Sequence, residues 1–89
     1  MPSLSEFISS PIVENIMSIP GISEYNRKRL NKIGIENSHQ LLGMFLLIRG
    51  DDKFNKWLYN TGVRNRQEII EAIEEKLNMW IRPSIHDED

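Results

Sequence analysis

The grouping with the most chemical content is Ser18-Ile19-Pro20-Gly21-Ile22-Ser23, followed closely by Arg27, Lys28, Arg29 and Lys32. A Pro-Gly pair makes a tight turn, and Gly21 lets the backbone come close to another group. Ile22 is expected to point inward and anchor that turn. Ser23 suits a helix N-cap, and Glu24 follows in the first turn, where the helix dipole favours an anion. The amides from Gly21 to Glu24 would then lie at a helix N-terminus, where unpaired N–H groups and the dipole attract a phosphate. Arg27, Lys28 and Arg29 come one turn later, within reach of flanking phosphates. Such contacts fix a protein on a nucleic acid without reading its sequence.

Gly34-Ile35 begins twelve residues after Ile22. The order apolar, Pro, Gly, Ile, polar, basic helix, Gly-Ile resembles the helix-hairpin-helix motif of sequence-independent DNA-binding proteins. The competing reading is an ordinary helical hairpin whose basic run is a solvated face. A second cationic pair, Arg64 and Arg66, flanks Asn65 at the expected start of the last helix. Two arginines there oppose the helix dipole, so a phosphate ligand would give them a reason; the alternative is two solvated loop arginines. The whole chain carries a net charge of -2, from 11 Lys+Arg against 13 Asp+Glu. Three of those acids are Asp87, Glu88 and Asp89, without which 11 basic residues face 10 acidic ones. Charge is thus segregated, and a local cationic patch fits on an acidic chain.

Other chemistries find little support. The chain has no cysteine, which excludes disulfides and Cys-based zinc sites. His39 and His86 are too few and too isolated for a metal site. No nucleophile triad, glycine-rich phosphate loop or catalytic carboxylate pair is present, so neither an enzyme nor a cofactor is expected. Trp57, Trp80, Phe54 and Tyr59 fall at helical spacings that suit core or interface better than base stacking. No signal peptide is visible. The longest apolar stretch, Leu41 to Ile48, is far too short to span a bilayer.

The elements that must position these residues read as helices throughout. Ser3 and Glu6 have capping-box spacing for a short first helix with Leu4, Phe7 and Ile8. Pro11 suits the first turn of a second, with Ile12, Val13, Ile16 and Met17 as its apolar face. The third runs from Glu24 to Ile33, with Gly34 at the position after its end. A fourth starts at Asn37 or Ser38 and ends near Arg49-Gly50. A fifth starts at Asp51 or Asp52, carries Phe54, Trp57 and Leu58, and stops at Gly62. Asn65 and Glu68 form another N-terminal box, and the last helix sets Ile69, Ile70, Ile73, Leu77, Trp80 and Ile81 on one face until Pro83 ends it. Residues 84–89 read as a disordered acidic tail.

Leu41 to Ile48 is apolar on every side of a helix, which calls for burial on every side. In 89 residues that favours a partner copy, with contacts expected at Gly43, Leu46, Leu47 and Trp57. A glycine in mid-helix costs ~1 kcal/mol against alanine, and a close helix–helix contact would account for it. The alternative is a fully central helix in a monomer.

Leu41-Leu42-Gly43-Met44-Phe45-Leu46-Leu47-Ile48, then Phe54-x-x-Trp57-Leu58 and Thr61, then Leu77-Asn78-Met79-Trp80, follow the hairpin motif in order. From about Phe7 to Ile81 this arrangement resembles the barrier-to-autointegration factor family. The resemblance implies an all-α, compact five- or six-helix SAM-like bundle over residues 1–82, with residues 83–89 as an acidic tail. It implies a homodimer that binds double-stranded DNA without sequence preference and bridges two duplexes. Chromatin and nuclear-envelope organisation follow, with residence in nucleus and cytoplasm. It also implies partners: LEM-domain proteins in a groove across the dimer, and lamins. The DNA-binding set it suggests is Gly21, Ile22, Ser23, Glu24, Arg27, Lys28, Arg29, Arg64, Arg66 and Gln67. Ser3 and Ser5 stand where the family has phosphorylation sites, but no basic residue precedes Arg27, and the segment between Arg49 and Phe54 is one residue short. The family also has a divergent relative taken not to bind DNA. A protein-interaction module with weak or no DNA binding, through LEM domains or a heterodimer, is therefore the competing reading.

Overall fold

The computed structural model describes residues 3–86, and side chains as far as Asn78. The described residues form five α-helices and two short 3-10 turns, with no strand. The helices are α1 (Leu4–Ser9), α2 (Glu24–Lys32), α3 (Ser38–Ile48), α4 (Lys53–Thr61) and α5 (Arg66–His86). The all-helical expectation holds.

Most boundaries are set by local chemistry. The Ser3 hydroxyl accepts from the Glu6 N–H at 3.3 Å, and the Glu6 carboxylate accepts from the Ser3 N–H at 3.2 Å, closing the expected box on α1. Asn37 and Gln40 do the same for α3. Ser23 caps α2 by accepting from the Asn26 N–H at 3.4 Å. Helix α2 ends at Gly34, whose φ of +89° a residue with a Cβ adopts only at a cost. The Ile35 N–H then closes the end on the Leu30 carbonyl at 3.0 Å.

Four expectations are corrected. The second helix, expected from Pro11, is absent: only a 3-10 turn, Ile16–Ser18, forms there. The chain ahead of it is claimed by long-range pairing. Asn15 makes an isolated bridge with Asn37, and the Ser38 N–H donates to the Glu14 carbonyl at 3.0 Å. Those bonds need an extended backbone, and Val13, assigned to an apolar face, is exposed. Second, neither Asp51 nor Asp52 caps α4 through its side chain; both take positive φ (56° and 63°) in a tight turn. The connection from α3 to α4 is so short that the chain must reverse through left-handed residues, which aspartate tolerates better than most. Third, α5 does not stop at Pro83 but continues to His86. A proline lacks the N–H for one helical bond, and here that does not terminate the helix. Asn65 also departs from a simple cap: its φ is +59°, and its side-chain amide donates to the Gly21 carbonyl at 3.4 Å. The tail residues Asp87, Glu88 and Asp89, and the side chains of Trp80 and Ile81, lie outside the described residues.

The core joins every helix. Phe7, Ile19, Ile22, Leu30, Leu41, Phe45, Leu58 and Ile73 are all buried in one cluster. Phe54 meets Phe45 edge-on at 5.1 Å and stacks with Trp57 at 5.7 Å. Lys76 is fully buried on the core side of α5, a position the apolar spacing did not foretell. Its Nζ donates to the carbonyls of Phe7 and Ser10 and lies 4.7 Å from the Phe7 ring centre. An ammonium satisfied by carbonyls at a helix C-terminus is one way to bury a charge, and it ties α1 to α5.

Candidate nucleic-acid interface

The hairpin between the first 3-10 turn and α2 is a β-turn closed by the Ile22 N–H donating to the Ile19 carbonyl at 3.1 Å. Pro20 and Gly21 are its central residues, and Gly21 has φ +94°, the type II arrangement. Ile22 is buried, anchoring the turn as expected. Gly21 is buried too, under the start of α5. A Cβ there would lie 2.8 Å from Ile69 Cγ1 and 3.3 Å from the Ile69 nitrogen. Close approach is therefore required at Gly21, but the group that approaches is α5. The first N–H groups of α2, next to Ser23 and Glu24, remain at a helix N-terminus that favours an anion.

Asn26, fully buried, stitches this hairpin to the loop before α5. Its side-chain amide donates to the Gly21 carbonyl at 2.9 Å and to the Arg64 carbonyl at 2.8 Å, and its oxygen accepts from the Arg64 N–H at 2.8 Å. The two cationic clusters of the sequence, 38 positions apart at this contact, are thereby brought together. The Arg64 guanidinium lies 4.0 Å from the centre of the Tyr25 ring, and that of Arg29 lies 5.2 Å from it. Arg29 Nε donates to the Tyr25 hydroxyl at 3.1 Å. That bond, reinforced by the charges of Arg29 and Arg64, holds the Tyr25 phenol below the usual tyrosine range. Lys28 and Lys32 share with Tyr25 and Arg29 the walls of one shallow depression. Residues 25, 28, 29 and 32 form one stripe of α2 at helical spacing.

The other expected residues fare differently. Arg27 lies off the stripe, ion-paired with Glu24; its Nε donates to Glu24 at 3.0 Å, and the bond holds the Glu24 carboxyl below its ordinary range. Arg27 also borders a depression with Glu14 and Glu36. Arg66 turns inward on α4, donating to Asn55 Oδ1 at 3.1 Å and to the Val63 carbonyl at 3.2 Å, with its guanidinium 4.9 Å from the Tyr59 ring centre. Gln67 is exposed and donates to Glu71 at 2.9 Å. Tyr25 and Asn26 were missed as site residues, and Lys32, counted in the basic run, was left out of the DNA-binding set. The spacing of Tyr25 with Arg29 and Lys32 was a usable signal; the reach of Asn26 to Arg64 was not.

On α3, one face is buried through Leu41, Leu42 and Phe45, whereas Leu46 and Leu47 are 51% and 76% exposed and Gly43 is exposed beside them. The helix is therefore not the centre of a monomer. Trp57 on α4 is half-buried. Ser3 and Ser5 are exposed at the start of α1. Among the described residues, no group of three or more His, Cys, Asp or Glu could hold a metal ion, and no helix is long and apolar enough to cross a membrane.

The family model for barrier to autointegration factor matches residues 2–83. The chain belongs to that family. Among curated relatives, the barrier-to-autointegration factor of Danio rerio is 35% identical over 66 residues, which cover 71% of this chain and 73% of the relative. Those of Mus musculus and Homo sapiens are each 32% identical over 65 residues, with the same coverage. No solved structure matches the chain. The barrier-to-autointegration factor match takes in the whole hairpin, α2, the Arg64 loop and the exposed face of α3.

Proposed function

We propose that this chain is a sequence-independent double-stranded DNA-binding protein that acts as a homodimer and bridges duplexes. The observation that carries the reading is the cationic stripe: Lys28, Arg29 and Lys32 on α2, joined by Arg64 from the loop before α5, beside the helix N-terminus of the hairpin. Of the expected hairpin residues Gly21, Ile22, Ser23 and Glu24, Gly21 is buried under α5 and the Ile22 N–H already bonds the Ile19 carbonyl, so the proposed backbone ligands are Ser23 and Glu24, with Lys28, Arg29, Lys32, Arg64, Arg66, Gln67 and Arg27 through side chains. Arg27 and Arg66 must first give up their present partners, so Lys28, Arg29 and Arg64 contribute most. All are phosphate-directed; none forms a base-reading set.

The exposed apolar face of Gly43, Leu46 and Leu47 supports the dimer, with Trp57 at its edge. Covering a leucine is worth roughly 1–3 kcal/mol. Two copies then present two cationic surfaces, which is what bridging requires. The groove formed across the dimer by α3 and α4 takes LEM domains, and lamins are further partners. The setting is chromatin and the nuclear envelope, with a cytoplasmic pool. Phosphorylation at Ser3 or Ser5 adds about -2 in charge beside Glu6 and weakens DNA binding. The role is not enzymatic.

A second reading, a protein-interaction module with little DNA binding, draws on the net charge of -2 and on the pairing of Arg27 by Glu24. A gel shift with random duplexes at two salt concentrations separates the two. Binding that weakens with salt on every duplex supports the first, and no shift at low salt supports the second.

A further inference from the structure

We infer that Tyr25 is a positioning residue which, together with Asn26, sets Arg64 beside Arg29 as a two-arginine clamp on DNA phosphates; the inference rests on the DNA-binding reading above. Arg64 is gripped by adjacent residues of α2. Asn26 fixes its backbone at both the N–H and the carbonyl, each at 2.8 Å. Tyr25 offers its ring to the guanidinium at 4.0 Å, while its hydroxyl accepts from Arg29 Nε at 3.1 Å. The phenol thus contacts two cations that would otherwise repel each other, Arg64 through its ring and Arg29 through its oxygen.

No carboxylate among the described residues completes this arrangement. Among the described residues the one ion pair is Arg27–Glu24, so neither Arg29 nor Arg64 has an acidic partner. Arginines held by an aromatic platform, with their remaining N–H groups unclaimed by carboxylates, suit bidentate recognition of phosphate. Lys28 and Lys32 border the same depression and add long-range attraction. The stripe on α2 thereby continues onto the loop before α5 and follows more than one phosphate of a backbone. It does so on a chain with no basic residue ahead of Arg27.

The test uses the full chain and a random-sequence duplex, with affinity measured over a salt series and helical content followed by circular dichroism. One phosphate contact releases ~0.9 counterion, so its loss at about 0.15 M salt weakens binding roughly fivefold and lowers the salt slope by about 0.9. Tyr25→Leu and Arg64→Ala are each expected to show that loss, and the double variant to be no weaker than Arg64→Ala alone. Tyr25→Phe, which keeps the ring, is expected to stay within about twofold of the parent. A folded Tyr25→Leu with parental affinity and slope overturns the proposal, as does a double variant whose losses multiply. Should Tyr25→Leu fail to fold, Arg64→Ala decides, and parental affinity in that variant overturns it. If the parent itself binds no duplex, the DNA-binding reading fails. The cluster is then judged with inorganic tripolyphosphate by NMR: shifts of the Tyr25 ring resonances that Arg64→Ala removes sustain a phosphate clamp, and unmoved resonances overturn it.

Discussion

Replacing Gly21 by alanine separates two reasons for a glycine in the hairpin. One is room for a phosphate; the other is room for α5. The structure favours the second, because the added Cβ would lie 2.8 Å from Ile69 Cγ1 and 3.3 Å from the Ile69 nitrogen. A helix backbone and a buried side chain cannot both retreat cheaply, so overpacking costs about 1–3 kcal/mol. The φ of +94° adds about 1–2 kcal/mol for a residue with a Cβ. Gly34→Ala is the matched control: its φ is +89°, but nothing lies within 4 Å of the Cβ, so it carries the backbone cost alone. In a domain of this size each kcal/mol shifts Tm by about 4–8 °C. Gly34→Ala is therefore expected to lower Tm by roughly 4–16 °C, and Gly21→Ala by a further 4–24 °C or so. Thermal melts followed by circular dichroism, with duplex affinity measured well below each Tm, read both effects. Equal Tm values for the two variants would refute the packing argument. So would a Gly21→Ala protein of parental stability that had lost only its DNA binding.

Gly43→Glu is expected to abolish dimerisation while leaving the helical content intact, because nothing lies within 4 Å of its Cβ in the monomer and a charge in a dry contact costs several kcal/mol; light scattering should fall to the 10.4 kDa monomer. Lys76 gives a pH signature. Burial lowers its pKa below the ordinary value of 10.5, so between the two values the unfolded chain binds more protons than the folded one, and stability rises with pH. The penalty is fully present below the folded pKa and disappears as pH approaches 10.5. Wild-type Tm should accordingly gain on that of Lys76→Met as pH is raised through the alkaline range, and a constant difference would contradict it.

What was legible in the sequence was local. Ser3 with Glu6, Ser23 and Gly34 act on neighbours three or four residues away, and each does what its type and spacing suggested; of the two starts expected for α3, Asn37 is the cap, with Gln40 completing a box that had not been singled out. Residues 11–15 misled because the outcome was decided by Asn37 and Ser38, whose hydrogen bonds outweigh the helical preference of a Pro-led apolar segment. Lys76 falls between Ile73 and Leu77 on the buried side of α5, yet a lysine reads as solvated until the carbonyls of Phe7 and Ser10 are seen to meet it. The basic run shows the same division. Arg27 and Lys28 are adjacent in the chain but about 100° apart around a helix, so one joins Glu24 while the other joins the Tyr25 stripe. Asn26 could not be singled out at all, since its role exists only once the loop before α5 is folded against it.

Lys28 and Arg29 are proposed to hold duplex DNA through its phosphates. Fluorescence anisotropy of several unrelated labelled duplexes, over a salt series, with the parent, Lys28→Glu and Arg29→Glu, tests it most directly. The parent should bind all duplexes alike, with a steep salt slope. Each reversal should weaken binding on every duplex by at least the roughly fivefold value of one phosphate contact at about 0.15 M salt, and helical content should stay unchanged. A folded, charge-reversed protein that binds as tightly as the parent, or a parent that prefers one sequence strongly, would contradict it.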